Sequence, residues 1–180
     1  SRALETLLRR YTLPVRQISE FDRLPIRFRA VATDLETGSA VVLDRGDLAL
    51  ALRSSMSVPG VFPPIEVGGR LLGDGGLVNN VPIDVARAMG VDVVIVVNVG
   101  TPLAGRETLG SVVGITVQMI NILTEQNVQR SLASMGAHDI LVAPPLGLLT
   151  SADFDKAPQA IAAGELGALA ALERLRQFSL

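Results

Sequence analysis

The chain has 180 residues, of which 48% are hydrophobic and 19% are charged, and its formal net charge is -2. This length and composition predict a globular protein with a sizeable hydrophobic core. A near-neutral charge and only 3% aromatic residues argue against nucleic-acid binding, which needs a basic surface. The absence of cysteine excludes disulfides and thiol catalysis, and a single histidine without clustered carboxylates predicts no metal site.

The first 72 residues show alternating helix and strand patterns. They predict a helix over 2–11, a surface segment over 19–25, strands over 26–33 and 40–43, a helix over 47–54, and strands over 65–67 and 70–72. Leucine spacing indicates the first helix, and Asp47 has the position of an N-cap for the second. Gly68 and Gly69 form the two-residue signal of a β-hairpin.

The second half continues the alternation. It predicts a helix over 83–89 that Gly90 ends, a fully buried strand over 91–98, a long helix over 108–135, a strand over 138–142 and a closing helix over 155–177. Strands that alternate with helices predict an α/β sheet with helices on both faces. No internal repeat or linker is visible, so residues 1–180 are interpreted as part of one domain.

The most informative motif is Asp74-Gly75-Gly76, which follows a predicted strand directly. Two glycines after a carboxylate allow a close approach to another backbone or to a substrate, because neither has a Cβ. Asp74 is therefore predicted to be a catalytic acid or base, with Gly75 and Gly76 as its supports. The alternative is an aspartate that caps a glycine turn. A dinucleotide fingerprint does not fit, because position 78 is valine and not glycine.

Four blocks around this motif resemble one known family. They are FRAVATDLETG over 28–38, LRSSMSVPGVFPPI over 52–65, LLGDGGLVNN over 71–80 and VDVVIVVNVG over 91–100. In order and spacing they are similar to the patatin-like phospholipases, and the resemblance covers about residues 1–100. The tail is similar to that of bacterial members, which include outer-membrane and secreted proteins.

The resemblance implies an α/β fold with a three-layer patatin-like sheet, related to the α/β-hydrolases and flanked by helices. It implies a serine hydrolase with a Ser-Asp dyad, no catalytic histidine and no cofactor, in which Asp74 of the D-G-G/A motif is the base. The expected substrate is a phospholipid or another acyl ester, met peripherally at a membrane surface. The expected location is secreted or outer-membrane associated in a bacterium, with the cytoplasm as the alternative.

The chain departs from the family in one large respect. The G-x-S-x-G motif of the nucleophile is absent, because residues 110–114 carry their serine one place early, and no glycine-rich oxyanion loop is present. Residues 1–180 are therefore expected to be the C-terminal part of a single patatin-like domain. Its N-terminal part, with the serine, would lie in an upstream segment, and the chain alone would be inactive. The alternative is a noncatalytic α/β binding or assembly module.

Several other residues invite a functional interpretation but favour a structural one. Ser54, Ser55 and Ser57 are predicted to bond backbone near a helix end, Asp34 and Glu36 to lie in a solvated turn, and His138 to lie at the surface. The apolar run over 109–123 is shorter than the ~18 residues that span a bilayer. It is predicted to be a core helix or a homo-oligomer face, with an interfacial helix as the less favoured alternative.

Overall fold

The computed structural model describes residues 2–179 and shows a mixed α/β protein, which confirms the predicted fold class. The chain forms two compact units, of which the first ends at Asn80 and the second begins at Val81. The interpretation of the chain as part of one domain stays a prediction.

The first unit contains three helices and four strands among its described residues. These are α1 (Arg2–Thr12), β1 (Ala30–Asp34), β2 (Ala40–Leu43), α2 (Leu48–Ser55), β3 (Ile65–Val67), β4 (Arg70–Asp74) and α3 (Gly76–Asn79). The Asp47 carboxylate caps α2 by accepting the Leu50 N–H at 3.1 Å, as predicted. Gly68 and Gly69 both have positive φ in the β3–β4 turn, a conformation that glycine adopts without strain.

The four strands form one antiparallel sheet in the order β2-β1-β4-β3. All five residues of β1 are buried, and α2 packs against both central strands. The core beside β1 includes Phe21, which is fully buried and lies 5.9 Å from the Phe28 ring. The sequence predicts a surface segment over 19–25, and for Phe21 that prediction is wrong.

The second unit contains four helices and two strands among its described residues. These are α4 (Ile83–Ala88), β5 (Ile95–Val97), α5 (Val112–Ala133), β6 (Ile140–Val142), α6 (Ala157–Ala170) and α7 (Leu172–Arg176). β5 and β6 pair in parallel. The core of this unit is built from Val81, Ile83, Val94, Val96 and Val128. None of the helices in residues 2–179 is long and apolar enough to cross a membrane.

Three predicted elements of this unit differ from the structure. The strand expected over 91–98 has only three residues and is not fully buried, because Val96 faces the core while Ile95 and Val97 are half exposed. The long helix starts at 112 and not 108, because the Ser111 hydroxyl accepts the Gly114 N–H and begins the helix there. The closing helix is broken at Ala171 into α6 and α7.

A buried carboxylate, that of Asp139, lies directly before β6 and binds groups from other segments of this unit. Asp139 accepts N–H groups from Gly136 and Val94 and pairs with the guanidinium of Arg87. These donors, the Gly136 N–H first, lower the pKa of Asp139. Its neighbour His138 is exposed, as predicted.

Candidate functional site

Asp74 is the last residue of β4, and its backbone is held from both sides. In the sheet it lies opposite Ala32 of β1. Its carbonyl accepts the Thr33 hydroxyl at 2.7 Å, and its N–H donates to the Ser57 carbonyl at 3.0 Å. The strand end is therefore fixed by β1 on one side and by the segment after α2 on the other.

Gly75 is glycine because no other residue fits in its place. A Cβ there would lie 2.1 Å from the Val31 carbonyl oxygen, although the Gly75 φ of -69° suits any residue. Its N–H donates to the Ser55 carbonyl at 3.3 Å, so Asp74 and Gly75 are both tied to the end of α2. The two glycines thus let the chain turn from β4 into α3 while in contact with β1.

The Asp74 carboxylate is half-buried, and its surroundings favour the protonated form. Burial raises the pKa of Asp74, and one hydrogen bond from the Gly76 N–H to Oδ1 at 2.7 Å opposes this effect in part. No charged side chain contributes to the shift. A carboxylate with a raised pKa is a stronger base than an ordinary one, which suits proton abstraction from a hydroxyl near neutral pH.

The three nearby serines use their hydroxyls for structure. Ser54 Oγ donates to the Leu50 carbonyl and Ser57 Oγ to the Arg53 carbonyl, as predicted for a helix end. Ser55 Oγ donates to the Val31 carbonyl of β1 at 2.6 Å, a longer-range contact than predicted. Within residues 2–179, no serine hydroxyl donates to the Asp74 carboxylate.

The two other carboxylates considered from the sequence are Asp34, at the end of β1, and Glu36, in the turn that follows it. Asp34 is buried, 8% exposed, and its Oδ1 accepts the N–H groups of Glu36 and Thr37. The prediction of a solvated turn is therefore wrong for Asp34 and holds only for the exposed Glu36. Across residues 2–179, no three His, Asp or Glu side chains are grouped to hold a metal ion.

Arg53 is the functional candidate that the sequence does not reveal. An arginine in the last turn of a short helix is expected at the surface, yet this side chain is buried, 2% exposed. It lies between α2 and the segment 57–63, which also reaches Asp74. No local pattern signals this burial, because the segment that covers the side chain turns at residues 58–62 and comes back to α2, where the Pro63 carbonyl meets Arg53.

These features define an α/β protein with a strand-end carboxylate beside a close-packed glycine turn. Residues 2–87 match the family model described as patatin-like phospholipase. An uncharacterized NTE family protein of Mycobacterium tuberculosis is 43% identical over 84 residues, 47% of this chain and 23% of that protein. Patatin-like phospholipase domain-containing protein 7 of Mus musculus is 42% identical over 84 residues, 46% of this chain and 6% of that protein.

The chain is similar to the patatin-like phospholipase family over residues 2–87, a little under half of its length. It spans less than a quarter of the length of these relatives. The matched residues include the whole Asp74-Gly75-Gly76 turn, since the family model extends to residue 87.

Proposed function

We propose that this chain carries the base of a lipid acyl hydrolase of the phospholipase A or esterase type, which acts through a Ser-Asp dyad. Asp74 is the base, and the serine comes from a segment outside residues 1–180. One observation supports the proposal above the others. The Asp74 carboxylate stands half-buried at a strand end, with a raised pKa and no ion-pair partner among the described residues.

In the proposed reaction the serine Oγ attacks the ester carbonyl while Asp74 takes its proton. Backbone amides from outside this chain hold the oxyanion, each worth roughly 2.7–4 kcal/mol. Collapse of the tetrahedral intermediate breaks the bond to the alcohol, which takes the proton from Asp74. Asp74 then deprotonates a water that attacks the acyl-serine, and the fatty acid and free serine result. No step needs a metal or a cofactor.

The test is labelling with a fluorophosphonate probe of a protein that contains residues 1–180 and its natural flanking sequence. The proposal expects one labelled serine outside residues 1–180, and loss of labelling in Asp74→Asn. Label on Ser54, Ser55 or Ser57 would contradict the assignment of the nucleophile. An absence of label in protein that hydrolyses acyl esters would contradict the serine mechanism.

We propose phospholipid or another acyl ester as the substrate, met peripherally at a membrane surface. The location that suits this substrate is secreted or outer-membrane associated in a bacterium, with the cytoplasm as the alternative. The similarity to the patatin-like phospholipases supports a lipid substrate, and the similarity to a protein of Mycobacterium tuberculosis supports a bacterial source.

A second candidate function, a noncatalytic binding or assembly module, is favoured by the surface of α5. We define the α5 stripe as Val112, Ile115, Met119 and Ile122, which are 38% to 81% exposed. Their 3-4-3 spacing is that of a helix-pairing seam. The predicted core helix is wrong for this half of α5. An interfacial helix usually has a basic polar face, but residues 107–129 contain no lysine or arginine, so a second copy of the chain fits the stripe better.

The double substitution Ile115→Glu with Met119→Glu is expected to abolish self-association without loss of fold, because both side chains are exposed and glutamate favours helices. The two like charges, four residues apart, cost only about 0.2–0.5 kcal/mol of helix stability. Light scattering after gel filtration checks this result, with Leu148→Glu as the control because Leu148 is 96% exposed and lies outside the stripe. A wild-type protein that stays monomeric at high micromolar concentration would contradict self-association. Vesicle binding that the double substitution abolishes would assign the stripe to a lipid surface instead.

A further inference from the structure

The first unit buries one positive charge without a carboxylate beside it. Arg53 of α2 is 2% exposed, and within residues 2–179 it forms no ion pair. Burial of an unpaired charge lowers stability, and an apolar residue of similar volume is often neutral or better at such a position. The stability of the fold therefore gives little reason for an arginine at this position. Residues that lower stability in this way are found mainly at functional sites.

The Arg53 guanidinium holds the segment that follows α2 at three points. Nη1 donates to Ser57 Oγ at 2.6 Å, and Nη2 donates to the Pro63 carbonyl at 3.3 Å. The guanidinium carbon lies 5.0 Å from the centre of the Phe62 ring, within the range of a cation–π contact. The planar guanidinium of arginine, with its several N–H donors, can make all three contacts at once, and the ammonium group of lysine cannot.

Ser57 connects this clamp to Asp74. Its hydroxyl donates to the Arg53 carbonyl and its N–H to the Ser54 carbonyl, so both donors of Ser57 are occupied. Its carbonyl accepts the Asp74 N–H at 3.0 Å. Ser57 is 2% exposed, so water does not compete for these bonds. The Arg53 guanidinium is thus one of the groups that hold Ser57, and the Ser57 carbonyl in turn holds the Asp74 backbone.

We propose that Arg53 is a positioning residue, which holds the Ser57 carbonyl in place and so fixes the end of β4 that presents the Asp74 carboxylate. This inference rests on the proposed function, because it assigns Asp74 as the group to be positioned. The two strands that pair with β4 carry one charged group each, Asp34 in β1 and Glu66 in β3. Asp34 Oδ1 accepts two backbone N–H groups, and Glu66 is exposed. Neither Asp34 nor Arg53 contributes to the shifted pKa of Asp74.

The kinetic test compares Arg53→Met and Arg53→Lys in the full-length protein, with active sites counted by fluorophosphonate labelling. We expect kcat per labelled site to fall roughly 10- to 100-fold in Arg53→Met, since a misplacement of about 1 Å can cost 10²-fold. KM should change less than kcat. Arg53→Lys keeps the charge without the fork and should lose most of the same rate. Arg45→Met is the matched control, because Arg45 is an exposed arginine paired with Asp44.

The pH profile separates positioning from a direct effect of charge. A loosened segment admits water to Asp74, so the raised pKa falls and the acid limb of kcat/KM moves to lower pH in both variants. Loss of a nearby positive charge would instead raise the pKa of Asp74 in Arg53→Met only. The second pattern, or a wild-type kcat in both variants, would overturn the inference.

Amide hydrogen exchange tests the same inference without any activity. In Arg53→Met the Asp74 amide should exchange at least about tenfold faster, because its acceptor is no longer held in place. The Leu35 amide, which donates to the Leu71 carbonyl in the same sheet, is the internal reference and should not change. Equal protection of Asp74 in wild type and variant would overturn positioning. Absence of hydrolysis in wild type would overturn the proposed function alone.

Discussion

Replacement of Asp74 by asparagine is expected to lower kcat by at least about 10²–10⁴-fold in the complete protein, the usual contribution of a general base. Asparagine has the size of aspartate, and its amide oxygen can still accept the Gly76 N–H that Asp74 Oδ1 accepts at 2.7 Å. The hydrogen bonds that join the Asp74 backbone to Ser57 and Thr33 do not involve the Asp74 side chain. The loss is therefore chemical, and initial rates on a soluble acyl ester measure it.

The same substitution should stabilise the protein at neutral pH. Burial raises the pKa of Asp74, so the folded protein binds this proton more tightly than the unfolded chain does. Stability from this group is complete below the ordinary carboxyl pKa of about 3.9 and is lost as pH rises through the higher folded value. Asparagine has no such loss. The melting temperature of Asp74→Asn should thus exceed that of wild type near pH 7 and match it near pH 3.

Asp34→Asn is the matched control for both measurements. Asp34 is a buried carboxylate of the same sheet, and its Oδ1 accepts two backbone N–H groups that asparagine can also satisfy. It should keep a rate close to that of wild type. Near-normal hydrolysis by Asp74→Asn would remove Asp74 from the mechanism. An equal loss in both variants would indicate a structural cause.

The sequence predicts well those features that depend on a few neighbouring residues. The Asp47 cap, the Gly68-Gly69 hairpin and the bounds of β2 follow from local turn and capping chemistry, and the structure confirms each of them. The position of Asp74 at a strand end belongs to this class, because Gly75 and Gly76 mark the turn within two residues. Its catalytic role stays a prediction.

The features that the sequence does not predict depend on distant contacts. Arg53 and Phe21 appear as surface residues in local patterns, and both are buried by contacts beyond the neighbouring turn. Phe62 and Pro63 cover Arg53, and Phe21 packs in one cluster with Ala51. The run over 91–98 is apolar enough for a buried strand, but in residues 2–179 only three of its residues pair, and only with β6. Apolar composition indicates what a segment could bury, not which partner is present.

Substitution of Gly75 by alanine is expected to lower the melting temperature more than alanine at any other glycine of the first unit. The added Cβ would lie 2.1 Å from the Val31 oxygen and 2.7 Å from the Val31 carbon, which are backbone atoms of β1. Neither can move without separating β1 from β4. Overpacking of this kind costs about 1–3 kcal/mol or more, which corresponds to a fall in melting temperature of roughly 2–12 °C for a chain of this size. Thermal unfolding followed by circular dichroism measures it.

Two neighbouring glycines are built-in controls, because an added Cβ would meet side chains there and not backbone. At Gly73 it would lie 2.9 Å from Cδ2 of the half-exposed Leu35. At Gly76 it would lie 2.8 Å from Asn80 Oδ1 and 2.9 Å from Asp74 Oδ1. The ends of these side chains can shift more easily than backbone, so Gly73→Ala and Gly76→Ala should unfold at a higher temperature than Gly75→Ala. A Gly75→Ala protein as stable as Gly73→Ala would show that β1 does not approach the motif this closely.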